Sequence, residues 1–282
     1  MGAKITPQTK NFKPNSKANF DFRHYAPESE KKIGNLVVKE DKTLKQLKEV
    51  FRNYKYPPST VRENSRAVSL IADINYSSKD ITKLSIALAE FQDERYFSEK
   101  ASMLLSSLIN SSKENNFTII TEHLERRIDK LGDHNTKNII IQGDVGDRVG
   151  YWMEGGTITV KGNAGDSVGM GMKDGIITIQ GNARDAVGWG TKGGTITIHG
   201  DARDGVGRFT QGGRITIKGN AGKGVGREMS NGTVYLEGEY GSLDADIRGG
   251  NIFHKGKQIV KNGKRPLWFV MKNLRANLKK KK

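Results

Sequence analysis

The chain has 282 residues and no cysteine, which excludes disulfides, thiolate metal sites, iron–sulfur clusters and cysteine nucleophiles. Its net charge is +16, and the excess is concentrated in residues 247–282, which contain 12 basic residues and no acidic residue. A local basic segment of this kind favours binding to an acidic partner or to nucleic acid. No stretch has the length and apolarity of a membrane span and no signal peptide is recognisable, so we expect a soluble, cytoplasmic protein.

The first part of the chain is polar and has no sustained hydrophobic periodicity. We therefore expect residues 1–40 to form a flexible basic arm.

Apolar residues at helical spacing predict a helical module over residues 41–135. The first predicted helix ends before Pro57, the second begins at a capping box formed by Thr60 and Glu63, and the third begins at Ser77 or Ser78. The fourth helix contains Leu104, Leu105 and Leu108, and the fifth contains the apolar residues from Phe117 to Leu131, with Gly132 as its C-cap. Helices one and two resemble helices three and four at an offset of about 35 residues, which is typical of helical repeats. A short helical-repeat module and a small orthogonal bundle both fit this pattern.

Residues 138–253 are periodic, and this is the strongest pattern in the chain. Five consecutive units of equal length align without an insertion or deletion: 143–161, 162–180, 181–199, 200–218 and 219–237. The sequence IIIQ before them matches the end of a unit, and residues 238–253 form a degraded sixth unit with its glycines one residue early. Such regularity predicts a stack of similar turns.

Each column of the aligned units has one chemical character. Aliphatic residues alternate with threonine at the end of every unit, as in Ile158-Thr159-Val160, which predicts a strand with one buried face. A valine column through Val149 and a small-residue column through Val145 also point inward. Glycines occupy the first, eighth and fourteenth positions, where we expect either a positive φ or close backbone approach. The Asn/Asp column is predicted to form a polar ladder between turns: Asp144, Asn163, Asn182, Asp201 and Asn220.

These features predict a right-handed parallel β-helix, a single-stranded β-solenoid with 19-residue turns. The whole chain is then a multi-domain α + β protein. Its predicted parts are a basic arm (1–40), a helical module (41–135), the β-helix (138–253) and a basic amphipathic tail or cap (254–282).

The repeated G-x-x-x-x-x-x-G…G-G-x-I-x-[IV] turns resemble the GXGXG-repeat β-helix family. Its members include the C-terminal domain of the glutamate synthase large subunit and one of the subunits of formylmethanofuran dehydrogenase. The resemblance covers residues 138–253 and implies a scaffold fold, because the family's chemistry lies in other domains or subunits. It carries no catalytic residue across to this chain, which lacks the cysteine that the amidotransferase nucleophile and the cluster ligands require.

Two other patterns resemble ligand sites. Gly188-x-Gly190-x-x-Gly193 matches a dinucleotide-binding loop, but a strand-like run follows it where that loop needs a helix. The aspartate column through Asp147 suggests calcium, but the nonapeptide motif of calcium-binding β-rolls is missing. We therefore expect no cofactor, no metal and no catalytic residue, and consider an enzymatic function unsupported.

One edge of the predicted solenoid carries large side chains at the same place in successive turns. We call this set the aromatic ridge and predict that it contacts either another part of the chain or a partner: Tyr151, Trp152, Met170, Trp189, Arg208 and Phe209.

The C-terminal tail combines basic and aromatic residues, and the spacing of its apolar residues over 267–278 suggests a short amphipathic helix. It could cap the last turn of the solenoid, or bind nucleic acid or an acidic partner. The residues predicted to do so are Lys264, Arg265, Trp268, Lys272, Arg275, Lys279, Lys280, Lys281 and Lys282.

The sequence thus favours a non-catalytic scaffold that joins an oligomer or a larger assembly of protein subunits. The first alternative is an RNA- or ribosome-associated protein that binds through its basic tail. The second alternative, an accessory subunit of an amidotransferase or formyl-transfer complex, is implied only by the resemblance.

Overall fold

The computed structural model describes residues 38–56 and 63–266, in which four α-helices precede a β-solenoid of about seven turns. The helices are α1 (Lys42–Asn53), α2 (Glu63–Ile71), α3 (Ser78–Ala87), which continues into a 3-10 turn (Leu88–Phe91), and α4 (Phe97–Ser111). None of the helices in these ranges has the length and apolarity needed to cross a bilayer.

The first four predicted helices are confirmed. The carboxylate of Asp41 caps α1 by accepting a hydrogen bond from the backbone N–H of Leu44 at 2.9 Å. Ser77 precedes α3, and its backbone N–H and hydroxyl both donate to Asp80, at 3.0 and 2.7 Å. Pro57 and Thr60, which were predicted to separate α1 from α2, lie outside the described residues.

The predicted fifth helix is wrong, because residues 116–120 form the first strand of the solenoid. This strand pairs in parallel with residues 138–142, and the pairing buries Phe117 and Ile119. Ile128 and Leu131 are also fully buried, but in a non-helical turn that follows the strand. Their spacing suggested a helix because an irregular turn in which one residue in every three or four is buried can match helical periodicity over a short range.

Nine strands form one sheet, in which β1 to β8 pair in parallel and in chain order. They are β1 (Asn116–Ile120), β2 (Asn138–Gln142), β3 (Thr157–Val160), β4 (Ile176–Ile179), β5 (Thr195–Ile198), β6 (Arg214–Ile217), β7 (Thr233–Leu236), β8 (Asn251–His254) and β9 (Lys257–Val260). From β2 through β7 every residue pairs with its equivalent in the next repeat unit, which confirms the predicted length of the turns. The step from Thr233 to Asn251 is one residue shorter, as the early glycines of the degraded unit predicted.

The predicted inward columns are buried, and a fourth column that the sequence did not reveal lies beside them. This fourth column mixes methionine with threonine, so it has no single chemical character: Met153, Met172, Thr191, Thr210 and Met229. The two threonines fit because each hydroxyl donates to the carbonyl of Gly188, at 2.9 Å from Thr191 and 3.1 Å from Thr210.

The predicted Asn/Asp ladder is present. The side-chain Oδ1 of Asp144 accepts the backbone N–H of Asn163 at 2.7 Å, and the same bond joins each member to its equivalent in the next turn, as far as the N–H of Glu239. None of the five ladder residues has a positive φ. The ladder therefore ties adjacent turns together through side chain to backbone bonds.

One outer edge of the described sheet is covered by a helix, and the other is formed by the antiparallel strand β9. Helix α3 lies along β1, where the hydroxyl of Thr82 donates to the carbonyl of Thr118 at 2.7 Å and the N–H of Ile120 donates to the hydroxyl of Ser85 at 3.0 Å. At the other end, β9 pairs antiparallel with β8. A covered edge prevents strand addition by another chain. The buried residues of the helices and of the solenoid form one continuous cluster.

Candidate interaction surface

The six residues of the aromatic ridge lie on one corner of the solenoid, between the inward valine column and the methionine–threonine column. They occupy the ninth and tenth positions of four successive turns, and all six are half-buried. The structure therefore brings together the residues that the repeat predicted, on the outside of a filled core.

The tenth position has a left-handed backbone in every unit, and glycine is the residue that adopts this conformation without strain. Two units have glycine there, with φ of 69° at Gly171 and 65° at Gly190. The other three have Trp152 at φ 51°, Phe209 at φ 57° and Glu228 at φ 54°. An L-residue in this conformation costs about 1–2 kcal/mol, so the two aromatic residues are held at the ridge against the preference of the backbone.

Trp152 is the centre of the first group of rings. Its ring is parallel to that of His134 at a centroid distance of 6.5 Å, and Tyr151 meets it edge-on at 6.0 Å. The ammonium groups of Lys173 and Lys192 lie 5.9 and 5.0 Å from its centroid. A third ammonium, that of Lys130, lies 5.6 Å from the ring of Tyr151.

Trp189, Arg208 and Phe209 form the second group. The rings of Trp189 and Phe209 stack at 6.0 Å with an angle of 27° between their planes. The guanidinium of Arg208 lies 5.0 Å from the centroid of Trp189 and 4.9 Å from that of Phe209. Its Nε is buried and has no hydrogen-bond partner among the described residues. Stacking fixes the guanidinium in place, so the group is ready to bind an anion.

Between the two groups the corner is open. A Cβ added at Gly190 would meet nothing within 4 Å, whereas a Cβ at Gly171 would lie 3.2 Å from the indole of Trp152. The indole thus occupies the space above Gly171 and leaves the space above Gly190 empty. The result is a shallow notch with Trp152 on one side and Phe209 on the other.

His134 and its neighbour Asp133 belong to this surface, although they were not predicted from the sequence. His134 has φ 50°, close to that of Trp152, which lies in the next turn. Its Nδ1 lies 2.6 Å from a carboxylate oxygen of Asp133, and burial raises the pKa of that carboxyl, while the nearby imidazole acts in the opposite direction. These two residues lie in the turn that precedes the first repeat unit. The spacing of Asp129-x-x-Gly132 matches that of Asp147-x-x-Gly150 in the first unit, and this match could have revealed the preceding turn.

The two ligand-site patterns have structural explanations. Gly188, Gly190 and Gly193 lie in a turn that leads into β5, so no helix N-terminus is available for a pyrophosphate. The aspartate column is a second ladder, in which Asp147 Oδ1 accepts the N–H of Asp166 at 2.8 Å. Within residues 38–56 and 63–266, no cluster of three or more His, Asp or Glu side chains could hold a metal ion.

Two of the nine tail residues predicted to bind a partner are described, and both are exposed. Arg265 donates from a guanidinium nitrogen to the carbonyl of Asp244 at 2.7 Å, and Lys264 exchanges backbone hydrogen bonds with Lys261. The other predicted tail residues lie outside the described residues: Trp268, Lys272, Arg275, Lys279, Lys280, Lys281 and Lys282.

Comparison with models of known protein families found no match to this chain, and a search of curated proteins found no relative.

Proposed function

We propose that this protein is a non-catalytic assembly subunit whose aromatic ridge docks a partner. The observation that carries the proposal is the presence of Trp152 and Phe209 at left-handed positions where two other units have glycine and the fifth has Glu228. Backbone strain of this kind is often found at functional sites.

The position of the ridge supports docking. The interior columns beneath it are filled by buried side chains, so the ridge is presented by a well-packed support. Half-exposed Trp, Tyr, Phe, Met and Arg are the side chains that contribute most to binding at protein surfaces.

The test is purification of the full chain from its source cells, followed by cross-linking mass spectrometry. We expect cross-links from Lys173 and Lys192, which flank Trp152, to a partner subunit or to a second copy of the chain. A contact with a protein should persist at high salt, because apolar burial is not screened, whereas a contact with a nucleic acid should weaken. Cross-links confined to other faces, in a complex unaffected by changes at Trp152 and Phe209, would contradict the proposal.

A second candidate function is binding of nucleic acid through the basic C-terminal segment. It is favoured by the charge of residues 247–282 and by the exposure of Lys264 and Arg265. Phosphate contacts predict an affinity that falls steeply with salt concentration, and truncation at residue 247 should abolish it. Because that truncation also removes β8 and β9, neutralising Lys279 to Lys282 is the milder test.

We also propose that the solenoid belongs to the GXGXG-repeat β-helix family, with the right-handed winding of that family. The parallel sheet with its regular 19-residue register supports this assignment. If the assignment is correct, service as an accessory subunit of an amidotransferase or formyl-transfer complex becomes a specific form of the proposed function. Co-purification with subunits that supply flavin, cluster or metal chemistry would support it.

A further inference from the structure

We infer that the aromatic ridge binds single-stranded nucleic acid, with bases stacked on its rings and phosphates held by the neighbouring cations. The inference rests on the proposed role of the ridge as a docking face and names what docks there. Single-strand binding surfaces combine aromatic platforms with cations that follow the backbone. The ridge has both components.

Basic side chains accompany the rings along the whole ridge. Lys130 faces Tyr151, Lys192 faces Trp152, and Arg208 faces both Trp189 and Phe209. Within the described part of the chain, neither Lys192 nor Arg208 forms an ion pair with a carboxylate, whereas Lys130 lies near Asp133. Of the acidic groups nearby, Glu154 pairs with Lys173 at 2.7 Å and Glu228 pairs with Arg248 at 2.9 Å, while Asp133 contacts His134. The unpaired charge of the ridge is therefore positive.

Lysine among the rings favours nucleic acid over a protein partner. Lysine is depleted from the cores of protein–protein interfaces, where its ammonium would lose water without gaining a matched anion. Here the ammonium group of Lys192, which has no carboxylate partner among the described residues, lies 5.0 Å from the centroid of Trp152, at the centre of the surface. A polyanion supplies a phosphate for such a group at every nucleotide.

The dimensions of the ridge suit a short single strand. Trp152 and Phe209 are three turns apart, which corresponds to about 14 Å along the solenoid. Stacked nucleotides at about 3.4 Å each would place about four bases over this length. Between the two ring groups, a Cβ added at Gly190 would meet nothing within 4 Å.

The experiment measures fluorescence anisotropy of a fluorescein-labelled 20-nucleotide RNA of mixed sequence with the full chain. Single-stranded DNA of the same sequence and the matching RNA duplex are parallel arms. We expect single strands to bind at least fivefold more tightly than the duplex, whose bases are already stacked on each other. Trp152→Gly and Phe209→Gly should each weaken single-strand binding by about tenfold. Both variants place at the tenth position the residue that Gly171 and Gly190 already provide.

Two further variants separate stacking from charge. Glu228→Gly is the matched control, because Glu228 has the same backbone conformation, φ 54°, but no ring; its affinity should stay within twofold of the unmodified chain or increase. Lys192→Gln should weaken binding and lower the slope of log affinity against log salt by about one phosphate contact. This change is at an exposed side chain, so it tests the proposal even if a ridge variant fails to fold.

Four other outcomes would overturn the inference. If the full chain binds none of the oligonucleotides, or binds the duplex as tightly as the single strand, the ridge is not a stacking platform. If both ridge variants bind normally but neutralisation of Lys279 to Lys282 abolishes binding, the tail binds the nucleic acid. If the ridge variants lose a co-purifying protein that survives nuclease treatment, the partner is a protein; the inference then fails while the proposed docking role stands. If the ridge variants lose neither a protein nor a nucleic acid, both the inference and the proposed docking role fail.

Discussion

The indole of Trp152 packs over Gly171, which occupies the equivalent position in the next turn of the solenoid. A Cβ at Gly171 would lie 3.2 Å from Cε2 of the indole and 3.4 Å from its Nε1, so the ring occupies the space that any other residue would need. The glycine therefore has two roles, since it also adopts φ 69°. The orientation of the indole at the ridge depends on this pair.

Substitution of Gly171 tests whether the indole of Trp152 packs over this residue. Gly171→Ala should destabilise the fold and displace the indole, because it adds both a left-handed alanine and a contact that is too short. Gly190→Ala is the control, with a similar φ of 65° but open space around the new methyl group. We expect about 1 kcal/mol of destabilisation at Gly190 and about 2–3 kcal/mol at Gly171. Equal losses in urea denaturation, with unchanged tryptophan fluorescence, would argue against a packed indole.

The polar ladder can be tested at Asp201, whose Oδ1 accepts the N–H of Asn220 at 2.6 Å. Asp201→Ala leaves that N–H without its acceptor and should lower the free energy of unfolding by about 1–2 kcal/mol. Asp201→Asn keeps an oxygen in the same place, as Asn163 and Asn182 already do, and should cost less than half as much. Thermal denaturation of the three proteins measures the difference. A ladder that contributes nothing would give equal stabilities.

The contact between α3 and β1 is tested at Ser85, which is fully buried and accepts the N–H of Ile120. Ser85→Ala removes the acceptor from an edge strand, so it should cost about 1–3 kcal/mol and accelerate amide exchange of Ile120. Thr82→Ser is the control, since it keeps the hydroxyl that donates to Thr118. Hydrogen exchange followed by mass spectrometry of a peptide covering residues 116–124 reports the effect. Unchanged exchange in Ser85→Ala would show that α3 does not protect this edge.

Asp41 makes the stability of the helices depend on pH. The hydrogen bond from the N–H of Leu44, followed by that from Lys83, lowers the pKa of this carboxyl below its usual 3.8. Because the folded-state pKa is lower than the unfolded one, the stabilisation is complete above the unfolded-state value and is lost as pH falls through the folded-state value. Asp41→Asn keeps the cap but not the charge, so its stability should fall less than that of the unmodified chain as the solution is acidified. Parallel urea titrations at pH 7 and pH 3 provide the comparison, and identical losses for both proteins would refute it.

The repeat made most of the solenoid predictable, because a buried column that recurs in every turn leaves few other structures. The first turn escaped detection because it is longer than the others, reaching from Asn116 to Asn138, and its register with the next unit is therefore offset. The methionine–threonine column escaped because Thr191 and Thr210 are buried only with the help of hydrogen bonds to Gly188. Pairing partners and hydrogen bonds of this kind depend on the tertiary structure, which local patterns do not encode.

The sequence predicted which residues form the aromatic ridge, but it did not predict the neighbouring cations or the backbone conformation. The ninth and tenth positions of the repeat placed all six ridge residues on one corner. The cations came from elsewhere in the turns, since Lys192 reaches Trp152 from two turns away. Backbone strain at Trp152 and Phe209 is a property of φ, and nothing in the spacing of the residues indicates it.

The most direct test of the proposed role of the ridge is the free energy of unfolding of the double variant Trp152→Gly/Phe209→Gly, measured by urea denaturation. If these rings serve binding at the expense of backbone strain, their removal relieves that strain. The relief, about 1–2 kcal/mol for each residue, should nearly offset the lost ring contacts. The variant should therefore unfold within about 1 kcal/mol of the unmodified chain. A loss of more than about 3 kcal/mol would show that the ridge stabilises the fold, and would contradict the claim that it is kept for a partner.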